Sequence, residues 1–148
     1  MALDGRGMVL EPDEVTLDGT RKNVTRFVER GRASLMLVAE VEGVVVGAAD
    51  VWPIPRRRLA HVAEFTMGLH PDYQGRGLGR QLAEACVAWA DEHGILRLQL
   101  MMRADNQRAK ALYTSLGFTL ESTRRDFMRL GEGFVDDLVM ARYRAPSA

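Results

Sequence analysis

The spacing of apolar residues changes several times along the chain, and each change marks an element. Residues 1–17 carry Gly, Asp and Pro without a period and are predicted irregular. From Asp18 to Arg30 the pattern turns helical. Val24, Phe27 and Val28 share one face, charged residues fill the other, and Gly31 is placed to cap the end. Ser34 to Val41 and Val44 to Trp52 are rich in Val, Leu and Met on either side of Glu42-Gly43, which predicts a β-hairpin. Pro53 and Pro55 end the second strand, because proline cannot donate to a ladder. Leu59 to Leu69 reads as a third strand, stopped by Pro71.

A glycine-rich loop follows, and then an amphipathic helix with Leu78, Leu82, Cys86 and Trp89 on one face, ending at Gly94. Ile95 to Met102 is a strand with Leu96, Leu98 and Leu100 on one side. Asp105 or Asn106 caps a short helix carrying Ala109, Leu112, Tyr113 and Leu116, and Gly117 stops it. Phe118 to Leu120 opens another strand. Gly131-Glu132-Gly133 is a hairpin turn, and Phe134 to Tyr143 is the last strand. The order of elements predicts a mixed α/β (α+β) fold in one domain spanning residues 1–148.

Composition narrows the function classes. The 148 residues suffice for one hydrophobic core. Twenty basic residues balance 20 acidic ones, so no overall field draws the chain to nucleic acid or an anionic membrane. The run Arg56-Arg57-Arg58 reads as a solvated loop. No apolar stretch approaches the ~20 residues of a membrane span, and the start of the chain lacks the basic-then-apolar order of a signal peptide. The expected location is therefore cytoplasmic. The single cysteine, Cys86, lies on an apolar helix face and reads as a small buried hydrophobe. No histidine pairs convincingly with another ligand, so no metal site is expected.

The loop Gln74-Gly75-Arg76-Gly77-Leu78-Gly79, between a strand and a helix, has the makings of an anion site. Glycines let backbone N–H groups converge, the helix start adds partial positive charge, and Arg76 and Arg80 stand at the rim. A P-loop would need Gly-Lys-Ser or Gly-Lys-Thr, whereas this helix opens Gly79-Arg80-Gln81. A dinucleotide fingerprint fails too, because its third glycine falls on Arg80 or Leu82 in the two available registers.

The string from His70 to Gly79 resembles the acetyl-CoA signature of the GCN5-related N-acetyltransferases (GNAT), Gln/Arg-x-x-Gly-x-Gly/Ala. Asn106-Gln107-Arg108-Ala109-Lys110-Ala111-Leu112-Tyr113, with Leu116-Gly117-Phe118 after it, is similar to the second half of that signature. The resemblance runs from about Ser34 to Tyr143. Ala63-Glu64-Phe65 and the segment Phe134–Met140 look like the subgroup of ribosomal-protein and spermidine acetyltransferases. The family's opening strand and helix look shortened or missing here, which leaves part of the acceptor wall unaccounted for.

The resemblance implies transfer of an acetyl group from acetyl-CoA, as co-substrate, to a primary amine by direct attack. That amine could belong to a protein N-terminus, a lysine, a polyamine or a small metabolite. Met67, Gly68 and Leu69 would bind the pantetheine arm through their backbone. Gln74, Gly75, Arg76, Gly77, Leu78, Gly79 and Arg80 would form the pyrophosphate loop. Asn106 would contact the cofactor, cap its helix, or do both. Tyr113 matches the family's general acid, although a helix tyrosine also packs well. Many relatives carry a glutamate where this chain has Met101, so Glu64 is the remaining carboxylate to act as base or to attract a cationic acceptor. His61 falls on the opposite strand face from Glu64 if that strand is regular. Asp136 and Asp137 fit a cationic acceptor or plain surface solvation. An acetyl-CoA sensor without catalysis is the alternative, and a different nucleotide binder the more distant one. A homodimer is left open.

Overall fold

The computed structural model describes residues 34–146, so the helix expected over Asp18–Arg30, the irregular 1–17 and the shortened opening unit lie outside the described residues. Among the described residues two strands come first, β1 (Leu35–Val41) and β2 (Val44–Pro53). Glu42 at φ 50 and Gly43 at φ 79 turn the chain between them, the left-handed pair that a two-residue hairpin needs. Then follow β3 (Val62–Leu69), helix α1 (Leu78–Glu92), β4 (Arg97–Arg103), helix α2 (Gln107–Ser115), β5 (Thr119–Leu130) and β6 (Gly133–Tyr143). They form one six-stranded sheet in the order β1-β2-β3-β4-β6-β5. Neighbours are antiparallel except β3 and β4, which α1 joins as a parallel crossover.

The third strand begins later than its apolar pattern suggested. Arg57–Leu59 closes a 3-10 turn, and Ile54 N–H bonds the Val62 carbonyl, so pairing starts only at Val62. His61 lies in that turn, not on the strand. Its carbonyl accepts from the N–H groups of Leu96 and Arg97, tying the entrance of β4 to that of β3.

Strand alternation sends Phe65, Leu98, Leu100, Leu138 and Met140 toward the helices, where they bury with Leu82, Ala83, Cys86 and Ala90 of α1. Each large side chain removed from water there contributes about 1.5–3 kcal/mol. Gly47 of β2 is required by close approach. A Cβ there would lie 2.6 Å from a Leu69 methyl and 2.9 Å from the Gly68 carbonyl oxygen, so β2 lies tight against the end of β3.

Among the described residues, α1 and α2 end in the same hydrogen-bonded motif. Gly94 at φ 72 lets Ile95 N–H reach the Ala90 carbonyl at 2.9 Å, and Gly117 at φ 90 lets Phe118 N–H reach the Tyr113 carbonyl at 3.0 Å. Among the described residues no helix is long and apolar enough to cross a membrane.

Leu98→Ala is expected to cost about 3 kcal/mol, read as a lower urea midpoint at unchanged slope. Burial, and then the charge of Asp50, push the Cys86 thiol up to about 12. A thiol-specific chromogenic reagent should therefore leave the native protein unlabelled and label the denatured chain at once.

Candidate active site

β3 is paired to β2 over its length but to β4 only at Val62, Ala63 and Glu64. Beyond Glu64 and Gln99 the two strands separate, and the gap opens into a cavity of about 750 Å³. Residues of both sheet faces line it: Phe65, Met67 and Leu100 from the helix side, Glu64, Thr66 and Met101 from the other. The edge of β3 from Phe65 to Leu69 that faces β4 thus has no strand partner.

The glycine loop closes one end. His70 caps the turn Pro71–Tyr73 by accepting from Asp72 N–H through Nδ1, so its imidazole is part of the scaffold. Gln74 Nε2 donates to the Leu69 carbonyl at 3.0 Å, and its Oε1 accepts from Arg108 of α2. This side chain thus ties the loop to β3 and to the second helix. Gly75 and Gly77 have φ of 74 and 84, and Gly77 caps α1. The first intrahelical bond runs from Gln81 N–H to the Gly77 carbonyl, which leaves the N–H groups of Leu78, Gly79 and Arg80 without helical partners. They point out of the helix start, where the dipole is positive.

Arg80 is held at the rim by the Ser115 hydroxyl at 3.1 Å and by Glu84 at 3.5 Å. Arg76 turns away, with its guanidinium over the Tyr73 ring at 5.1 Å. Neither its side chain nor that of Leu78, which packs on the core, lines the cavity. The other anticipated positions, Glu64, Met67, Gly68, Leu69, Gln74, Gly75, Gly77, Gly79, Arg80, Asn106 and Tyr113, all do. Arg108 was missed. It sits in the second motif string, but only the folded chain brings it to 3.8 Å from where a Cβ on Gly75 would lie.

Tyr113 borders the cavity from α2 and is only 6 % exposed. Its ring meets Phe65 edge-on at 5.8 Å and Phe118 at the same distance. Burial, reinforced by Cys86, pushes its phenol up to about 12. An ordinary phenol titrates near 10, so proton donation from this group is more uphill than from a free tyrosine. Asn106 is a helix cap, its Oδ1 accepting from Ala109 N–H at 3.1 Å, while its side chain also lines the cavity.

On the far side, β4, β6 and β5 bring charged residues together that the sequence left apart. Arg103 and Asp137 face each other in register and are both buried. Arg103 binds the Asp105 carboxylate with two nitrogens and holds it below the usual carboxylate range. Asp137 is paired with Arg124 and is 4 % exposed, so neither surface solvation nor a free charge for a cationic acceptor describes it. Asp136 accepts from Asp126 N–H at 2.9 Å and stabilises a bulge in which Asp126 has φ 50. That bulge brings Phe127 and Met128 to the cavity wall, with Arg124 stacked on Phe127 at 3.8 Å. Among the described residues no group of three His, Cys, Asp or Glu could hold a metal.

The profile described as Acetyltransferase (GNAT) family matches residues 9–118. The chain belongs to the GNAT acetyltransferase family. It is 40 % identical over 77 residues to the [ribosomal protein bS18]-alanine N-acetyltransferase of Salmonella typhimurium, a match covering 52 % of either chain. The chain thus spans about half the length of that curated relative. It is 33 % identical over 113 residues to the L-amino acid N-acetyltransferase AaaT of Escherichia coli, covering 73 % of this chain and 67 % of AaaT. The solved GNAT-family acetyltransferase of Streptococcus pneumoniae superimposes with a TM-score of 0.85 at 26 % identity, over 96 % of this chain and 86 % of that one.

Arg124→Met should remove the ion-pair partner seen on Asp137 and cost about 2 kcal/mol, the worth of a hydrogen bond to a charged group. Thermal unfolding of the variant at neutral pH, set beside Arg124→Lys, checks this. Equal melting temperatures for wild type and Arg124→Met would show that the pair contributes nothing.

Proposed function

We propose that this chain transfers the acetyl group of acetyl-CoA to a primary amine by direct attack. One observation carries the reading: unpartnered helix-start N–H groups, Tyr113 and Glu64 all border a single cavity. The diphosphate fits the glycine loop, where Arg80 and Arg108 supply charge and no Cβ obstructs the approach at Gly75 or Gly77. The unpaired edge of Met67–Leu69 suits an amide-bearing arm, which would complete the backbone pairing that β4 leaves open.

Acetyl-CoA supplies an activated acyl group whose carbonyl gains negative charge on attack. A backbone N–H on the open edge of β3 is placed to stabilise that charge. Glu64, exposed on the far face, takes a proton from the amine. Tyr113 gives its proton to sulfur as the C–N bond forms and the C–S bond breaks. The acceptor class follows the relatives: an alanine-type protein N-terminus, or a free amino acid, in the cytoplasm where ribosomal proteins are found. The alternative, an acetyl-CoA sensor, draws on Met101, which is exposed at the β4 position where a base is absent.

Calorimetric titration with CoA, ATP and NAD, followed by thiol release with alanine-first peptides and amino acids, tests the reading. Preferential binding of ATP or NAD would refute it, and CoA binding with no thiol release for any amine would favour the sensor. Tyr113→Phe should lower kcat by about 10²-fold or more while CoA affinity stays within about threefold. A Tyr113 phenol near 12 remains protonated through the working range. Its ionisation should therefore put no falling limb on kcat below about pH 10. A limb there that vanishes in Tyr113→Phe would contradict the assignment. Gly77→Val should weaken CoA at least about tenfold, because φ 84 strains any β-branched residue and distorts the loop.

A further inference from the structure

β3 presents Glu64, Thr66 and Gly68 on one face, and all three line the cavity beyond the last pairing with β4. Opposite Thr66 in register stands Asp50 of β2, and the Thr66 hydroxyl donates its proton to Asp50 Oδ1. A hydroxyl has one proton. With that proton committed to a carboxylate, the Thr66 oxygen offers only lone pairs to the cavity.

An attacking amine has the complementary need. In its neutral form a primary amine carries two N–H groups and one lone pair, and the lone pair must point at the acyl carbon. Two acceptors on one side of the nitrogen would hold both N–H groups and leave the lone pair aimed across the cleft. Glu64 and Thr66 are two residues apart on one strand face, about 6.6 Å along it, a span that a single nitrogen between their side-chain oxygens can bridge.

We propose that Thr66, held by Asp50 as an obligate hydrogen-bond acceptor, orients the acceptor amine together with Glu64. Thr66 is then a contact to the acceptor and Asp50 a positioning residue that acts through it. The arrangement selects primary amines over alcohols, since an alcohol has one proton to donate and would leave one acceptor unmatched. This inference rests on the amine-acetylation reading.

The test compares wild type, Thr66→Val, Thr66→Ser and Asp50→Asn, using an alanine-first peptide as acceptor, thiol release as the rate assay and calorimetry for CoA. Thr66 is exposed, so its variants should fold, and circular dichroism checks that they do. Thr66→Val should lower kcat/KM for the peptide about tenfold or more with CoA affinity within about twofold, and Thr66→Ser should restore it to within about threefold. Asp50→Asn can donate to the threonine oxygen and turn its proton toward the cavity, so it should lose activity although Thr66 is intact. Unchanged kcat/KM in Thr66→Val, failure of serine to rescue, or parallel loss of CoA affinity would each overturn the inference. If wild type binds no CoA or releases no thiol with any amine, the acetylation reading falls first and the inference with it.

Discussion

β3 is bonded to β2 through every register pair from Ala63 to Leu69, yet it meets β4 only over Val62–Glu64. That unequal pairing depends on features at the two ends of the strand. At its start, the carbonyl of His61 gathers the N–H groups of Leu96 and Arg97 and clamps β4 in place. At its end, Gly47 brings β2 close, His70 N–H bonds the Val46 carbonyl, and Gln74 takes the Leu69 carbonyl that another strand would otherwise want. The strand is therefore held firmly on one side and left open on the other. An unpaired edge normally invites aggregation or must be covered; in this fold it forms the wall of the cavity.

α2 transmits the same constraint to the tyrosine. Asn106 fixes where the helix begins and Gly117 where it ends. Between them, two turns place Tyr113 against Phe65 of β3, so the phenol is located relative to the open strand by packing and not by a polar tether among the described residues. Charged groups on the opposite face are arranged differently. Arg103, Asp105, Arg124 and Asp137 are matched in ion pairs, which keeps buried charge satisfied beside a cleft that must admit a polar reactant.

Much of this was readable in the residues because it depends on local rules. Glu42-Gly43, Gly94 and Gly117 announce turns and helix ends through the left-handed conformation they permit, and the three loop glycines announce a close backbone approach. β4 and α1 were legible from apolar periodicity. β5 was not beyond its first residues, since its twelve residues are mostly exposed on both faces and interrupted by two register shifts. Contacts formed by long-range pairing were equally hidden. Nothing in the order of residues places Arg108 over Gly75, which depends on how α2 packs against the loop, or Asp50 under Thr66 and Arg124 on Asp137, which depend on strand register that a one-residue slip would invert. The same limit explains Asp137, whose acidic neighbourhood in sequence resembled surface and whose place in the sheet is interior.

The motif that closes α2 also couples the fold to proton concentration. Phe118 folds back over Tyr113 through Gly117, and the ring is shielded as a result. Its phenol holds its proton to about 12 in the folded chain, against an ordinary value near 10 once the chain unfolds. The folded state is thus the better proton binder. The stability that this contributes is fully present below about pH 10 and is lost as pH rises toward 12, about 3 kcal/mol over the interval. Fraying of one helix end would release the shielding, so the acidity of the phenol is a local gauge of how tightly that last helical turn stays closed.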